Sequence, residues 1–173
     1  MKIDRRAVIA APVVLGIASM ADAEVVASSV STPQVDMVVV FKSKRRMGLY
    51  QNRDGKPVLL RSYQVDLGFE PNGDKARMGD GRTPEGTYFI DRRNENSAYH
   101  LSLGVSYPNT IDVAEARARG EDPGGDIFIH GGPTSLRSRF KRDWTAGCIA
   151  VSNAEIEQIW DMVPLGTVIV IRP

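Results

Sequence analysis

The sequence predicts a mainly β domain with two or three short helices. Short apolar runs rich in Val and Ile follow one another from about residue 36 onwards, and turns rich in Gly, Pro and Asp separate them. Only a few short stretches suit a helix. The 173 residues, 42% of them hydrophobic, are enough for one domain with a core of ordinary size.

Residues 1–23 are expected to be a signal peptide. They begin with basic residues that include Arg5 and Arg6, continue with an apolar stretch over 7–20, and end with small residues at 21–23, the spacing that signal peptidase reads. The apolar stretch is too short to span a bilayer comfortably, which disfavours a retained anchor. Because paired arginines occur in both kinds of signal, Sec and twin-arginine export both stay open.

Residues 24–35 are rich in Ser, Val and small residues and are expected to form a flexible tether, so that the folded domain covers 36–173. Loss of residues 1–23 removes three basic and two acidic residues, which brings the formal net charge from +1 to about zero. A chain without a basic surplus is not expected to bind nucleic acid. We therefore expect an exported protein of the periplasm or cell envelope, without stable membrane insertion after signal cleavage.

The first part of the domain predicts an antiparallel meander. Residues 37–41 are a continuous apolar run, a basic turn leads to a second run over 47–51, and 58–67 offers a third strand. Asp54 and Gly55, between the second and third runs, have the chemistry of a tight hairpin turn.

The middle of the domain continues the strand pattern and adds a helix. A turn over 81–86, stiffened by a proline, precedes a strand over 87–92, and 99–105 alternates in the same way. Residues 110–119 are the first helix candidate, with a stop signal at the following glycine.

The last part predicts a strand, a helix and a closing strand. Residues 127–129 are a buried strand that delivers His130 at its end. Ser152 or Asn153 can cap a helix whose apolar positions recur at helical spacing. Residues 168–171 form the closing strand.

Cys148 is the only cysteine of the chain. In an exported protein it has no intramolecular disulfide partner, so it is either buried or used chemically. A cysteine attacks as its thiolate, and an imidazole within hydrogen-bond reach is the usual way to stabilise that ion. Of the two histidines, His130 at a strand end is the first candidate for the base, and His100, inside an alternating strand, is the second.

The surroundings of Cys148 suit acyl transfer. Gly147 permits close approach of a substrate to the backbone, and the amides of Gly147 and Cys148 are candidates for binding an oxyanion. The residues alone leave open that Cys148 is a core residue and His130 a satisfied polar group. One cysteine and two histidines without paired-ligand spacing predict no metal, and no cofactor is expected.

Two segments carry a family resemblance. Ile-His-Gly-Gly over 129–132 and Thr-Ala-Gly-Cys-Ile over 145–149 resemble the signature of the L,D-transpeptidase catalytic domain of the YkuD type. The segment 81–88 is similar to the Thr-Pro-x-Gly element that precedes a core strand in that family. The resemblance extends over about 38–171 and implies a compact β-sandwich or barrel-like catalytic domain.

The resemblance also implies roles for particular residues. Cys148, eighteen positions after His130, takes the place of the nucleophile, and His130 that of the general base. Gly147 occupies the glycine of the signature and Thr145 its hydroxyl residue. Gly131, which follows the base, is a further supporting position.

The sequence departs from the family at two positions. Ala146 stands where many members have a second histidine, and Ala150 where many have an arginine. Oxyanion binding is therefore expected to rest on backbone amides. Because His130 is followed by glycine rather than a hydroxyl residue, the group that orients its ring must be backbone or come from elsewhere.

The resemblance implies an exported enzyme that acts on peptidoglycan stem peptides through a thioacyl intermediate on Cys148. The acyl group would pass to an amine, which forms a cross-link or attaches an acceptor. With water as the acceptor, the same site would be a cysteine amidase or carboxypeptidase, and the residues leave this choice open. A non-catalytic peptidoglycan-binding module, in which Cys148 would not matter, is the third alternative.

A basic segment over 137–142 lies between the two motifs. Its cations either receive the carboxylates of an acidic stem peptide or form a solvated basic surface, and both interpretations stay open. The candidate substrate-binding residues are Arg82, His100, Arg137, Arg139, Arg142 and Trp144.

Overall fold

The computed structural model of the chain describes residues 33–133 and 141–173. They form one mixed eight-stranded sheet and two helices, which confirms the predicted mainly β class. The strands are β1 (Met37–Phe41), β2 (Arg46–Arg53), β3 (Lys56–Gln64), β4 (Gly86–Ser97), β5 (His100–Val105), β6 (Phe128–His130), β7 (Ile149–Ala150) and β8 (Val168–Arg172). The helices are α1 (Thr110–Ala118) and α2 (Asn153–Met162).

The predicted meander is present at one edge of the sheet. β2 pairs antiparallel with both β1 and β3. Asp54 and Gly55 have φ values of 53° and 77° in the hairpin that joins β2 to β3. A two-residue turn with positive φ at both positions matches the right-handed twist of the strands, and Asp-Gly adopts it at little cost.

The closing strand β8 lies in the interior of the sheet. It pairs in parallel with β1 and antiparallel with β4, so the strand order is β3-β2-β1-β8-β4-β5-β6-β7. The side chains of Ile169 and Ile171 are buried beside those of Val38 and Val40 from β1. The two ends of the folded domain are thus held together in one core.

The long strand β4 carries the sheet from one half of the molecule to the other. Its first residues pair with β8, and from Ile90 onwards it pairs with β5. The register shifts between Ile90 and Arg92, and irregularities of this kind bend a strand. Both halves contribute to a single apolar cluster, to which α2 adds Ile156 and Ile159.

The two-residue strand β7 is too short to give a periodic signal, and the sequence did not predict it. It pairs in parallel with β6, with Ile129 opposite Ile149 and His130 opposite Ala150. Two backbone hydrogen bonds of 2.8 and 2.9 Å between Ala150 and Asp66 hold its other side. The parallel pair fixes where the segment containing Cys148 lies relative to His130.

Both helices begin at capped residues. Asn109 caps α1, and Ser152 caps α2 in a capping box with Glu155, which decides between Ser152 and Asn153. Within 33–133 and 141–173, no helix is long and apolar enough to cross a membrane. The predicted signal peptide lies outside these ranges and stays a prediction.

Candidate active site

The pairing of β6 with β7 brings the chain segments of the two candidate catalytic residues side by side. His130 lies opposite Ala150 in the parallel ladder, and Ile129 lies opposite Ile149. Cys148 directly precedes β7. The ladder therefore places the segment that contains Cys148 next to the strand that ends in His130.

The Cys148 thiol lies against the chain that leads into β6. Its Sγ donates to the carbonyl oxygen of Asp126 at 3.5 Å. Burial raises the pKa of the Cys148 thiol, because the charged form loses hydration. A hydrogen bond from the Phe128 amide opposes this effect by favouring the thiolate, and the net shift of the pKa is upward.

The ring of His130 is held by its own backbone neighbour. Nδ1 lies 2.6 Å from the carbonyl oxygen of Gly131. Because a carbonyl oxygen only accepts, Nδ1 carries the proton and Nε2 keeps the lone pair of a base. Burial lowers the pKa of His130, and the bond to Gly131 opposes this shift in part. The side chain is only 3% exposed.

These two shifts favour a neutral pair at neutral pH. A lowered pKa keeps the His130 imidazole uncharged, and a raised pKa keeps the Cys148 thiol protonated. Among the described residues, no hydrogen bond joins the thiol to the imidazole, and the thiol instead donates to Asp126. The resting site is thus a thiol and a neutral imidazole rather than an ion pair.

Two aromatic side chains enclose the His130 ring. Tyr99 stacks on it, with ring centroids 4.5 Å apart and an interplanar angle of 27°. Trp144 meets it edge to face, at 5.6 Å and 66°. The Tyr99 and Trp144 rings are themselves 5.7 Å apart. The candidate base therefore lies in an aromatic enclosure that excludes water from most of its surface.

Thr145 folds the segment that ends in Cys148 into a tight turn. Its hydroxyl donates to the Cys148 carbonyl oxygen at 2.7 Å and accepts from the Gly147 amide at 3.1 Å. Backbone hydrogen bonds to Leu67 and Phe69 anchor Thr145 to the neighbouring segment. The hydroxyl thus sets the conformation of the backbone that presents the thiol. It also engages the Gly147 amide, one of the two predicted oxyanion donors.

Only glycine fits at position 147, because of its backbone conformation and its close neighbours. Its φ of 134° lies in the region that side chains rarely adopt, and a Cβ there would come within 2.7 Å of the Arg82 carbonyl oxygen. A Cβ on Gly68 would lie 3.1 Å from the Gly147 Cα. Glycine lets three chain segments pack backbone to backbone beneath the thiol.

Gly131 is likewise fixed by close contacts. A Cβ at this position would lie 2.7 Å from Asn153 Oδ1 and 2.9 Å from the Tyr99 carbonyl oxygen. Asn153 Oδ1 accepts from the Gly132 amide at 2.8 Å. The His130 strand end is therefore clamped between the start of α2 and the hairpin that carries Tyr99.

Comparisons with known proteins agree with this fold. The family model of the YkuD type, described as the L,D-transpeptidase catalytic domain, matches residues 36–171. The chain belongs to the L,D-transpeptidase catalytic domain family. The expected β architecture is thereby confirmed together with the recognition of the family.

Individual relatives support the assignment. The Escherichia coli K12 protein named "Putative L,D-transpeptidase YafK" is 30% identical over 128 residues, which are 73% of this chain and 46% of that protein. The crystal structure of the helical cell shape determining protein Pgp2 from Campylobacter jejuni matches with a TM-score of 0.65 and 27% identity, over 80% of this chain and 48% of that one. Bd1075 from Bdellovibrio bacteriovorus matches with a TM-score of 0.59 and 26% identity, over 79% of this chain and 47% of that one.

The L,D-transpeptidase domain makes up most of this chain, but the chain spans only about half the length of the relatives it matches. Within the part of the chain that the structure describes, no group of three or more His, Cys, Asp or Glu side chains is arranged to hold a metal ion.

The structure places the predicted substrate-binding residues at different distances from the site. Trp144 contacts the His130 ring, as described above. The Arg82 carbonyl packs against Gly147, but its guanidinium donates to the Asp74 carbonyl at 3.2 Å. His100 is exposed, and its Nε2 lies 2.7 Å from Glu157 Oε1. Arg137 and Arg139 lie outside the described residues.

Arg142, at the described end of the basic segment, lies beside the site. It pairs with Asp66 at 3.1 Å and remains half exposed. A pocket of about 140 Å³ lies beside Trp144, and its lining includes Gln64, Asp66, Gly132, Arg142, Trp144 and Ala150. Because Asp66 already engages Arg142, the positive charge facing this pocket is partly compensated.

Several residues that shape the candidate site are not evident from the sequence. The predicted strand over 99–105 begins one residue too early, because Tyr99 lies in the β4–β5 turn, where it contacts the His130 ring. The Asn153 side chain binds the Gly132 amide and does not cap α2. Asp143 accepts from Arg45 Nε and Nη2 and from the Leu67 amide, which anchors the turn before Thr145.

Proposed function

We propose that this domain is a cysteine acyltransferase that acts on peptidoglycan stem peptides through a thioacyl-enzyme on Cys148. The observation that carries the proposal is the contact of His130 Nδ1 with the Gly131 carbonyl oxygen at 2.6 Å. This contact leaves Nε2 as a base, and the pairing of β6 with β7 brings the segment that contains Cys148 beside it. Membership in the L,D-transpeptidase family supports the choice of substrate class.

The proposed reaction starts from the neutral pair. Nε2 of His130 takes the thiol proton while Sγ of Cys148 attacks the carbonyl carbon after an L-centre in a tetrapeptide stem. The C–S bond forms and the carbonyl oxygen becomes an oxyanion. When the C–N bond breaks, the imidazolium returns the proton to the departing D-amino acid. The acceptor amine then attacks the thioester carbonyl carbon and gives a proton to Nε2. The new C–N bond replaces the C–S bond, and the departing sulfur of Cys148 takes that proton back as a thiol.

Oxyanion stabilisation rests on main-chain amides, since Ala146 and Ala150 offer no polar side chain. The Gly147 amide donates to Thr145 at 3.1 Å, so the Cys148 amide is the donor on which the proposal relies. The turn set by Thr145 holds that amide in place before the substrate binds, which removes the cost of reorganising it during the reaction.

The acceptor distinguishes a transferase from a hydrolase. An amine of a second stem peptide, or another attached amine, gives transfer, whereas water gives an amidase or carboxypeptidase. We place transfer first because the chain belongs to the L,D-transpeptidase family. The predicted signal peptide supports an exported location in the periplasm or cell envelope.

The proposal is tested by supplying a tetrapeptide muropeptide with and without an amine acceptor and weighing the products. Transfer predicts a cross-linked or amine-capped product that appears only with the acceptor. A shortened peptide in both reactions identifies a hydrolase. Unchanged muropeptide in both, from a protein that melts cooperatively, would leave only the non-catalytic binding module.

Cys148→Ala provides the matched control for that experiment. It removes the nucleophile and leaves the backbone amide, so product formation should stop while binding to peptidoglycan is retained. Thr87→Ala, on the exposed face of β4, serves as a variant with full activity.

A further inference from the structure

We propose that Tyr99, in the turn between β4 and β5, is a positioning residue for His130: its ring fixes the plane of the imidazole that serves as the base for Cys148 in the proposed reaction. The inference rests on the proposed function, because it concerns the base of the same site. It adds a residue that lies outside both signature segments, about thirty positions before His130 in the chain.

The geometry of the stack is specific to this side chain. Ring centroids 4.5 Å apart with an angle of 27° give contact over most of one imidazole face. Trp144 contacts the ring at 66° and so limits its movement from another direction. Tyr99 is 38% exposed, so its position is not explained by burial in the core.

The turn that presents Tyr99 is itself held at three points. The Tyr99 amide donates to Ser97 Oγ at 3.1 Å. The next residue, His100, has a φ of 74° and pairs with Glu157 of α2 at 2.7 Å. The Tyr99 carbonyl oxygen packs closely against Gly131, and a Cβ added to Gly131 would lie only 2.9 Å from it. The aromatic ring is thus presented to His130 from a fixed support.

The stacked ring of Tyr99 fixes the plane of the imidazole, which the hydrogen bond to Gly131 alone does not fix. The bond from Nδ1 selects the tautomer and restrains one atom of the imidazole. Rotation of the ring about its side-chain bonds still moves Nε2, and small displacements of a catalytic group are costly. Contact over one face removes this rotation, so the bond and the stack together define both the protonation site and the ring plane.

The same contact keeps water from the imidazole, which lowers the pKa of His130 through burial. Among the described residues, the titratable and charged groups near His130 include the Tyr99 phenol in the hairpin, Cys148 before β7, the pair of His100 with Glu157 between the hairpin and α2, and the pair of Arg142 with Asp66 beside Trp144. The effect of burial exceeds that of the bond to Gly131, and no charged side chain contributes to the shift. Loss of the Tyr99 ring should therefore raise the pKa of His130 toward its ordinary value.

The test compares Tyr99→Phe, Tyr99→Leu and Tyr99→Ala in the full chain. The imidazole signals are titrated by NMR without substrate, and His100→Gln assigns them because the chain has only two histidines. Tyr99→Phe keeps the stack and should titrate as the parent protein does. Tyr99→Leu fills the space without a ring, and both it and Tyr99→Ala should titrate at higher pH.

Turnover of the tetrapeptide muropeptide gives the second readout. Tyr99→Leu and Tyr99→Ala should lower kcat by roughly tenfold to a hundredfold with little change in KM, because the ring positions the base and does not bind substrate. Tyr99→Phe should restore kcat. Phe89→Ala, which removes an exposed ring from β4, is the control expected to match the parent protein.

An unchanged His130 titration together with an unchanged kcat in Tyr99→Leu and Tyr99→Ala would overturn the inference. A fall in kcat that Tyr99→Phe does not restore would also overturn it, because the ring would then not be the group responsible. The NMR titration needs no turnover. A parent protein that is inert toward muropeptides refutes the proposed function, and the titration still decides the inference about Tyr99.

Discussion

At Cys148 and His130, the surroundings set the protonation states before any substrate binds. Burial raises the pKa of the thiol and lowers that of the imidazole, so both groups are neutral near pH 7. In the proposed reaction, the thiolate would form only as Cys148 attacks the substrate, together with the oxyanion and its amide donor. A neutral thiol is also less prone to oxidation than a thiolate.

Alkylation by iodoacetamide follows the thiolate and tests this state. We expect the rate for Cys148 to rise steadily with pH through the neutral range, because the raised pKa keeps the thiolate scarce there. The rate is measured by intact-protein mass at each pH. A plateau of fast alkylation between about pH 5 and 7 is typical of a thiolate–imidazolium pair and would contradict the neutral site.

The lowered pKa of His130 should extend turnover to more acidic pH. The base must be neutral to take a proton, and a lowered pKa keeps it neutral to more acidic pH. The acid limb of kcat/KM should therefore lie below the pH expected for an ordinary histidine. Turnover of muropeptide across a pH series measures it.

Thr145→Val tests the turn that presents the thiol. The change keeps the shape of the side chain but removes its bonds to the Cys148 carbonyl and the Gly147 amide. Because the backbone amide and the thiol both lose their restraint, we expect kcat to fall by roughly tenfold or more. Thr87→Val, on an exposed face, is the control, and equal activity of the two variants would contradict the role given to Thr145.

At this scale the sequence identified the nucleophile candidate and the base candidate, because Cys148 and His130 sit in a recognisable spacing. It also limited the group that orients His130 to the backbone or another part of the chain, and the Gly131 carbonyl and Tyr99 are those groups. Tyr99 could not be predicted, since its contact depends on how a hairpin folds against a strand far along the chain.

Between the elements, the anchor at Asp143 connects the catalytic turn to the meander. Arg45, in the turn between β1 and β2, donates to both carboxylate oxygens of Asp143 at 2.8 to 3.0 Å. Asp143 has a φ of 50° and also accepts from the Leu67 amide at 3.0 Å. A charged, bidentate contact of this kind fixes orientation as well as distance.

Arg45→Ala tests the anchor. The change leaves a half-buried carboxylate with one amide partner, and we expect the free energy of unfolding to fall by about 1–3 kcal/mol. Activity should fall as well, because the turn before Thr145 loses its support. Urea unfolding and muropeptide turnover measure the two effects. Arg53→Ala, on the exposed end of β2, is the control, and an Arg45 variant as stable as this control would refute the anchor.

The strands and helices themselves were largely predictable. The apolar run of β1, the Asp-Gly hairpin and the capped helix α2 each carry a local signal that the structure confirms. The strand β7 carries none, because two residues cannot show a period. Its existence depends on pairing with β6 and on bonds to Asp66, both of which are tertiary contacts.

Across the whole molecule, a buried lysine joins the meander to the segment beneath the site. Lys42 is 2% exposed, and its Nζ donates to the carbonyl oxygens of Gly73 and Thr83 at 2.5 and 2.8 Å and to Glu85 at 2.8 Å. Thr83 in turn accepts from the Gly68 amide, which lies next to Gly147. A single ammonium group thus donates hydrogen bonds to three acceptors, all of them in the loop between β3 and β4.

Lys42→Met removes this group and keeps the length of the side chain. The carboxylate of Glu85 and two carbonyls lose their partner, and we expect a loss of about 3–5 kcal/mol in the free energy of unfolding. Thermal and urea unfolding measure it. Lys44→Met, an exposed lysine in the same turn, should change stability little, and equal effects of the two changes would contradict the account of Lys42.

The arrangement of the whole sheet was not accessible from the sequence. The order of the strands in space places β8 between β1 and β4, although it is the last strand of the chain. Local periodicity shows that strands exist and does not show which ones pair. The burial of Lys42 could not be predicted either, because a basic residue after an apolar run indicates a surface turn rather than a buried hydrogen-bond donor.

In the proposed reaction, Cys148 carries the acyl group. The most direct measurement is the mass of the protein and of its peptides after brief incubation with tetrapeptide muropeptide and quenching in acid, in which a thioester survives. We expect one adduct, equal in mass to the donor less its terminal D-amino acid, on the peptide that contains Cys148, and no adduct on Cys148→Ala. Muropeptide turnover at the parent rate by Cys148→Ala would contradict it.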